Sequence, residues 1–171
     1  IKIERFDKAF WSLDTTQMAQ EFARLTSQYP DITPIYTENV VRFGHPDSAI
    51  THNTYKLFRT NKEVGELYEN ALNIYTDMTD IENDLTTAFR RTKYFLPHLP
   101  TPRVYCHVSG LNQSLIVGEE FISLSIDNYL GADFPLYEKI GIYKYQRPNM
   151  RREKVAPDYI TAWISSEISS S

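Results

Sequence analysis

The segment from Lys139 to Lys154 concentrates side chains that can bind an anion. Its sequence, KIGIYKYQRPNMRREK, contains six lysines and arginines interleaved with two tyrosines. Such a mixture can hold a phosphate or stack against a sugar or a base. It is also typical of a solvated face whose tyrosines and lysines extend along the surface, and we favour this second interpretation. The candidate binding residues are Lys144, Tyr145, Arg147 and Arg151 of this segment, together with Asp158.

The charge of the whole chain argues against nucleic acid as a partner. The 171 residues include 22 acidic and 18 basic side chains, which gives a net charge of −4. No global positive field therefore draws the protein towards a polynucleotide. An anionic-ligand site would have to be local, and an anionic glycan, a lipid headgroup or an acidic protein is the partner that it would suit. No apolar run approaches the ~18 residues needed to cross a bilayer.

The remaining reactive side chains give little support for a metal site or a nucleophile. His45 and His52 fall in an irregular region, His98 lies between prolines, and His107 lies on the polar side of a predicted strand. None has the spacing of metal ligands, so we interpret all four as exposed or hydrogen-bonded histidines. A site assembled by folding from His45, His52 and His107 stays open as an alternative. Cys106 is interpreted as a small buried apolar residue.

Three helices are predicted from one start signal, a Ser, Thr or Asp followed three residues later by Glu or Gln. The pairs are Asp14 with Gln17, Thr60 with Glu63, and Thr79 with Glu82. An apolar stripe at helical spacing follows each pair: Met18, Phe22 and Leu25; Val64, Leu67, Ala71 and Ile74; Ile81, Leu85, Phe89 and Leu96. Pro30 and Pro97 are predicted to end the first and third helices, because proline cannot donate the next backbone bond. Short helices and turns are predicted between Asp31 and Arg59.

A β segment is predicted to begin at Arg103. Val104, Cys106 and Val108 alternate with more polar residues, which indicates a half-buried strand. Residues 115–117 and 121–126 flank Gly118-Glu119-Glu120 and predict a hairpin with a three-residue loop. In its second strand Ser123 and Ser125 are expected on a wetter face. Ile1 and Ile3 alternate with charged residues and could add an edge strand.

The last third of the chain is predicted to return to helix. Asp127 and Asn128 precede Gly131 and are interpreted as caps of a turn rather than as ligand-binding residues. A helical turn is expected from Pro135, and a final helix begins near Pro157 with an apolar side formed by Ile160, Trp163, Ile164 and Ile168. The order of helices, strands and helix predicts an α+β fold, with several amino-terminal helices packed on a small mixed sheet. We expect one domain over residues 1–171, which could be the amino-terminal part of a longer domain.

Two stretches carry a family resemblance: IKIERFDKAFWSLD at the start and FISLSIDNYLGADFPLYEKIGIYKYQRPNMRREKVAPDYITAW from Phe121 to Trp163. They resemble the gliding motility lipoprotein B (GldB) family of Bacteroidetes-type bacteria. The resemblance implies a domain of the cell envelope that faces the periplasm and is held at a membrane by a lipid outside these residues. It also implies protein partners in the envelope or in the motility machinery.

The GldB family is in turn similar to zincin-type metallopeptidases in the order of its elements. In a zincin the last helix carries H-E-x-x-H, whose two histidines bind zinc while the glutamate activates water. The corresponding stretch here resembles Pro157-Asp158-Tyr159-Ile160-Thr161, so both histidines are replaced and Asp158 stands at the glutamate position. We therefore expect a non-catalytic domain without a cofactor, which acts by binding proteins or envelope components. A metal-dependent peptidase with ligands elsewhere or beyond Ser171, and an anionic-ligand-binding domain, are the alternatives.

Overall fold

The structure, a computed structural model, describes residues 1–112 and 115–170 and confirms the α+β class. The described helices are α1 Phe6–Trp11, α2 Met18–Gln28, α3 Ile32–Ile35, α4 Ala49–Thr60, α5 Lys62–Ile74, α6 Thr79–Phe95, α7 Pro135–Lys139 and α8 Val155–Ser169. The strands are β1 Ile3–Glu4, β2 Arg103–His107, β3 Ile116–Val117 and β4 Phe121–Ser125. A π-helical turn at Tyr36–Val40 extends α3, and short 3₁₀ turns lie at Ile126–Tyr129, Arg147–Asn149 and Arg152–Lys154.

The four strands form one mixed sheet in the order β1-β2-β4-β3. Strands β1, β2 and β4 are parallel, and β3 pairs antiparallel with β4. The predicted edge strand near Ile3 and the predicted hairpin are therefore confirmed. Gly118 is required in the hairpin loop, because a Cβ there would lie 2.2 Å from a ring carbon of Phe121.

The prediction that β2 and β4 each have one wetter face is wrong. Apart from Arg103 at the start of β2, both strands are buried along their length, including the serines of β4. On the face that carries the Cys106 side chain, the thiol donates to the Asp7 carboxylate of α1 over 3.1 Å. On the other face the rings of Tyr105 and His107 pack against Tyr29 and Tyr36. Both faces are covered, so the polar residues point into the protein and not into water.

The predicted helix start signals do not act as capping pairs. Helix α2 begins at Met18, and the Asp14 carboxylate accepts from the Thr16 amide while Glu21, not Gln17, accepts from the Asp14 amide. Helix α5 is capped by Asn61, whose side chain accepts from the Val64 amide over 3.1 Å. Asn61 displaces Thr60 from this role because Thr60 still belongs to the preceding helix.

The first turn of α6 also departs from the predicted pair of Thr79 and Glu82. The Asp77 carboxylate accepts from the Thr79 amide and hydroxyl, at 2.9 and 2.6 Å. The Glu82 side chain accepts instead from the amide of Ile3 in the edge strand, over 2.7 Å. Glu82 therefore links α6 to the sheet rather than capping its own helix.

The region predicted as short helices and turns contains the 12-residue helix α4. Its amino terminus is capped by Ser48, whose hydroxyl accepts from the Thr51 amide. The helix presents Tyr55 to a cluster of rings around Phe10, which gives it a buried face. Sequence periodicity missed α4 because most of its residues are polar, so its stability comes from this aromatic packing. The predicted ends of α2 and α6 before Pro30 and Pro97 are confirmed.

The final helix α8 begins at Val155, with Pro157 in its first turn. Its buried face is formed by Val155, Ala156, Tyr159 and Trp163, and the Trp163 indole donates to the Pro100 carbonyl over 3.1 Å. Ile168, which we predicted on the apolar side, is 60% exposed. Tyr159 replaces it on that side, and its hydroxyl accepts from the Ser125 amide of β4 over 2.7 Å. This contact attaches α8 to the sheet.

Candidate functional site

A groove of about 550 Å³ lies along α8. Its lining comes mainly from three parts of the chain: helix α8, the turn that follows β4, here called the floor, and the segment that precedes α8. The groove is lined by Leu115, Asn128, Tyr129, Gln146, Asn149, Met150, Asp158, Thr161 and Ala162. It therefore combines apolar surface with amide and carboxylate groups, which is the usual composition of a binding groove.

Asp158 is fixed in this groove by a contact from the floor. The Tyr129 hydroxyl donates to the Asp158 carboxylate over 2.8 Å. Tyr129 is buried, and burial followed by the bond to Asp158 raises the pKa of its hydroxyl, so that it stays protonated as a donor. Asp158 itself is exposed in the first turn of α8, where the helix dipole favours a negative charge.

The two positions that would carry imidazoles in a zincin have structural roles in α8. The Thr161 hydroxyl donates to the Pro157 carbonyl over 2.8 Å, one helical turn earlier. Pro157 lies in the first turn, where its missing N–H has no helical partner to lose. The side chains at these positions can line a groove but offer no nitrogen ligand to a metal.

The floor of the groove rests on a buried carboxylate, Asp127. It accepts from the amides of Ser109 and Leu111 at 2.8 and 2.7 Å, and from the Ser109 hydroxyl at 3.0 Å. Burial raises the pKa of Asp127, and these donors oppose the rise. Asp127 therefore ties the turn after β4 to the loop after β2. This is a structural role, although it holds a different loop from the turn that we predicted it to cap.

The basic segment divides into parts with different roles. Arg152 pairs with Asp80 through two contacts of 2.7 Å and donates to the Ile74 carbonyl over 2.9 Å, so it fastens the segment to α5 and α6. The Arg147 side chain donates to the Ile142 carbonyl over 3.1 Å within its own loop.

The structure separates the five predicted binding residues. Lys144, Tyr145 and Arg151 are exposed, and Arg147 is half-buried. Of the five, Asp158 lines the groove; within the described part of the chain the other four do not. Gln146 and Asn149, which flank Arg147 in sequence, line it instead.

The histidines are engaged separately. The His52 ring donates to the Pro46 carbonyl over 2.7 Å, and His45 is exposed beside Asp47. His107 is buried with its Nδ1 2.6 Å from the Ser123 hydroxyl. Across residues 1–112 and 115–170, no three His, Cys, Asp or Glu side chains lie close enough together to hold a metal ion. Ligands beyond Ser171 would lie outside the described residues.

Sequence reasoning missed most of the groove. The sequence did not predict binding roles for Tyr129, Gln146, Asn149 and Thr161, although the Asp-Asn-x-x-Gly pattern indicated the turn after β4. A signal was present in Asp158, which we predicted at the glutamate position of the zincin motif. The partner that holds it, Tyr129, lies 29 residues earlier in the chain, and only the fold brings the two together.

The fold and the groove define an α+β protein whose last helix lines a groove with both polar and apolar side chains. The family model described as Gliding motility protein GldB matches residues 1–171. The chain therefore belongs to the GldB family of gliding motility proteins, which are envelope lipoproteins, as the sequence resemblance predicts. The comparison with curated proteins found no match, and neither did the comparison with solved structures. Within the described residues, no helix is both long enough and apolar enough to span a bilayer.

Proposed function

We propose that this chain is a non-catalytic binding domain of the gliding-motility machinery, and that the groove along α8 receives a segment of a partner protein. The observation that carries the proposal is the set of hydrogen bonds made by Asp158 and Thr161, which lie at the position of the zincin motif in α8. Asp158 accepts a hydrogen bond from Tyr129, and the Thr161 hydroxyl donates to the Pro157 carbonyl. Both side chains are therefore held in place where they line the groove. A peptide segment suits amides and a carboxylate around apolar surface, because it offers both backbone donors and side chains.

The scaffold is proposed to be zincin-like and to form a single domain over residues 1–171. Support comes from the order of the elements, which runs from amino-terminal helices through a mixed sheet to a helix packed against it. The short antiparallel strand β3 lies at the edge of that sheet, and Leu115 beside it lines the groove. Under this proposal the domain faces the periplasm and is tethered by a lipid outside these residues.

Crosslinking from the groove tests the proposal in the organism's own cells. A photoreactive residue in place of Asn149, which lines the groove, is expected to form an adduct with one protein of the motility machinery. Adding Thr161→Arg should block the groove and remove the adduct. Thr54→Arg is the matched control, because the Thr54 hydroxyl also donates to the carbonyl one turn earlier, over 2.7 Å. An adduct that survives Thr161→Arg, or none at all, would overturn the proposal.

A further inference from the structure

We propose that residues 139–147, here named the tyrosine loop, dock onto a bilayer surface that carries anionic headgroups. Three large apolar side chains of this loop are exposed: Ile140 by 47%, Tyr143 by 65% and Tyr145 by 76%. Lys139 and Lys144 are exposed beside them in the sequence. Aromatic side chains next to lysines are typical of protein surfaces that lie at the level of lipid headgroups. This proposal is independent of the groove along α8.

Hydrogen bonds and ring stacking within the chain fix the conformation of the tyrosine loop. The Ile142 amide donates to the Tyr137 carbonyl over 3.0 Å, and Ile142 itself is buried as an anchor. The Arg147 side chain donates to the Ile142 carbonyl over 3.1 Å, which closes the loop. The rings of Tyr143 and Tyr145 are stacked, with centroids 5.7 Å apart and planes at 11°. These contacts order the loop in the unbound protein, which lowers the entropic cost of docking.

The charge around the loop complements an anionic membrane. Residues 139–154 contain six cations and one acidic residue, Glu153, in a chain whose net charge is −4. One of the cations, Arg152, is paired with Asp80. The other five form no ion pair with any described residue: Lys139, Lys144, Arg147, Arg151 and Lys154. A local positive surface on an acidic protein is attracted to anionic lipid within about a Debye length.

Composition favours a membrane over a protein partner or a soluble polyanion. Lysine is depleted at protein interfaces, whereas it is frequent beside tyrosine at membrane surfaces. A soluble polyanion would use the cations but would gain little from an exposed Ile140. The carboxyl-terminal end of α6 carries a second exposed aromatic pair for comparison, because Tyr94 and Phe95 are 81% and 76% exposed near Arg90, Arg91 and Lys93. Two of these three cations are arginines, and arginine, tyrosine and phenylalanine are enriched at protein interfaces.

Vesicle co-sedimentation of the full chain tests the proposal. Vesicles in which about a third of the lipid is phosphatidylglycerol should bind the protein at about 0.1 M salt, and pure phosphatidylcholine vesicles should not. The double variant Lys139→Gln, Lys144→Gln should weaken binding about thirtyfold. The double variant Tyr143→Ser, Tyr145→Ser should weaken it severalfold at unchanged charge.

A matched pair at the end of α6 supplies the control. Tyr94→Ser with Phe95→Ser removes an equally exposed aromatic pair, and Arg90→Gln with Arg91→Gln removes two exposed cations. Both double variants should bind the anionic vesicles like the unaltered protein. The proposal is wrong if either control weakens binding as much as the loop variants do. It is also wrong if the tyrosine variant has no effect, because the site would then be a purely electrostatic one for soluble polyanions.

A depth measurement separates insertion from simple charge attraction. Tyr145→Trp places a fluorophore in the loop, and its emission should be quenched by lipids with brominated acyl chains. Tyr94→Trp, at an equally exposed position on α6, should not be quenched. Equal quenching of the two variants, or none from Tyr145→Trp on anionic vesicles, would contradict docking through the tyrosine loop.

Discussion

The hydroxyl of Tyr129 donates to the carboxylate of Asp158 over 2.8 Å, which joins the turn after β4 to the first turn of α8. The Tyr129 carbonyl also accepts from the Tyr75 hydroxyl, so the same residue is fixed to the end of α5. The floor and one wall of the groove thus meet at a single side chain. The contact with Asp158 uses the Tyr129 side chain, whereas the contact with Tyr75 uses the Tyr129 backbone. Removing the Tyr129 hydroxyl therefore changes the groove and keeps the bond to Tyr75.

Replacing Tyr129 by Phe removes the bond to Asp158 and keeps the ring. We expect the free energy of unfolding to fall by about 1 kcal/mol, because Asp158 is exposed and can bond to water instead. Adduct formation from Asn149 should fall severalfold, since the groove loses its fixed floor. Urea denaturation and crosslinking measure the two effects. Tyr94→Phe, at an exposed ring, is the control, and equal results for both variants would contradict the role given to Tyr129.

Arg152 and its neighbour Arg151 are expected to contribute differently to the free energy of unfolding. Arg152→Ala removes the two contacts with Asp80 and the bonds to the carbonyls of Ile74 and Asp77. Because the guanidinium is partly screened by solvent, we expect a loss of about 1–2 kcal/mol in the free energy of unfolding. Arg151→Ala should change it by less than about 0.5 kcal/mol. Denaturation that ranks the two variants in the opposite order would show that Arg152 does not fasten the segment.

His107 should make the fold sensitive to acid. Burial lowers the pKa of His107 to about 3, from an ordinary value of 6.5. Below about pH 6.5 the unfolded chain binds a proton that the folded chain does not, so the free energy of unfolding falls as the pH falls towards 3. The contribution of this residue is at most about 1.4 kcal/mol per pH unit.

His107→Gln is the variant that isolates this effect, since glutamine can still bond to Ser123. Its free energy of unfolding should vary less with pH between about pH 6.5 and pH 4 than that of the unaltered protein. Denaturation curves at several pH values make the comparison. A slope unaffected by His107→Gln would show that another group causes the acid sensitivity.

Asp127→Asn tests the carboxylate beneath the groove. Asparagine presents one oxygen and one N–H₂ group where Asp127 presents two acceptors, so the amide of Ser109 or of Leu111 loses its partner. We expect a loss of about 2–4 kcal/mol in the free energy of unfolding. Asp133→Asn, at an exposed position, should cost almost nothing. Calorimetry of both variants gives the answer, and a neutral Asp127→Asn would mean that the carboxylate is not the support described above.

Local pattern predicted those parts of the fold whose determinants are close together in sequence. The hairpin follows from Gly118 between two apolar segments, and the ends of α2 and α6 follow from proline. The burial of β2 on both faces could not be predicted in this way. It depends on contacts such as that between Cys106 and Asp7, which are 99 residues apart. The polar residues of the strands are satisfied by distant partners, so they resemble solvent-facing residues in the sequence.

The candidate site, too, could be predicted only where its determinants lie close together in the sequence. Asp158 was predicted from a motif within α8, and the structure places it in the groove. The cations of the basic segment are close together in sequence, yet Arg152 pairs with α6 while Lys144 and Arg151 remain exposed. The sequence alone could not show which of these cations forms an ion pair with a carboxylate.

The most direct test of whether α8 is a binding element and not a catalytic one is a measurement of zinc content. The purified chain is incubated with zinc, the free ion is removed, and the bound zinc is measured. We predict far less than one zinc ion per chain, with no change on replacing His45, His52 or His107 by Ala, and no cleavage of an unfolded protein substrate. One zinc ion per chain that is lost with one of these histidines, together with peptide cleavage, would contradict the account.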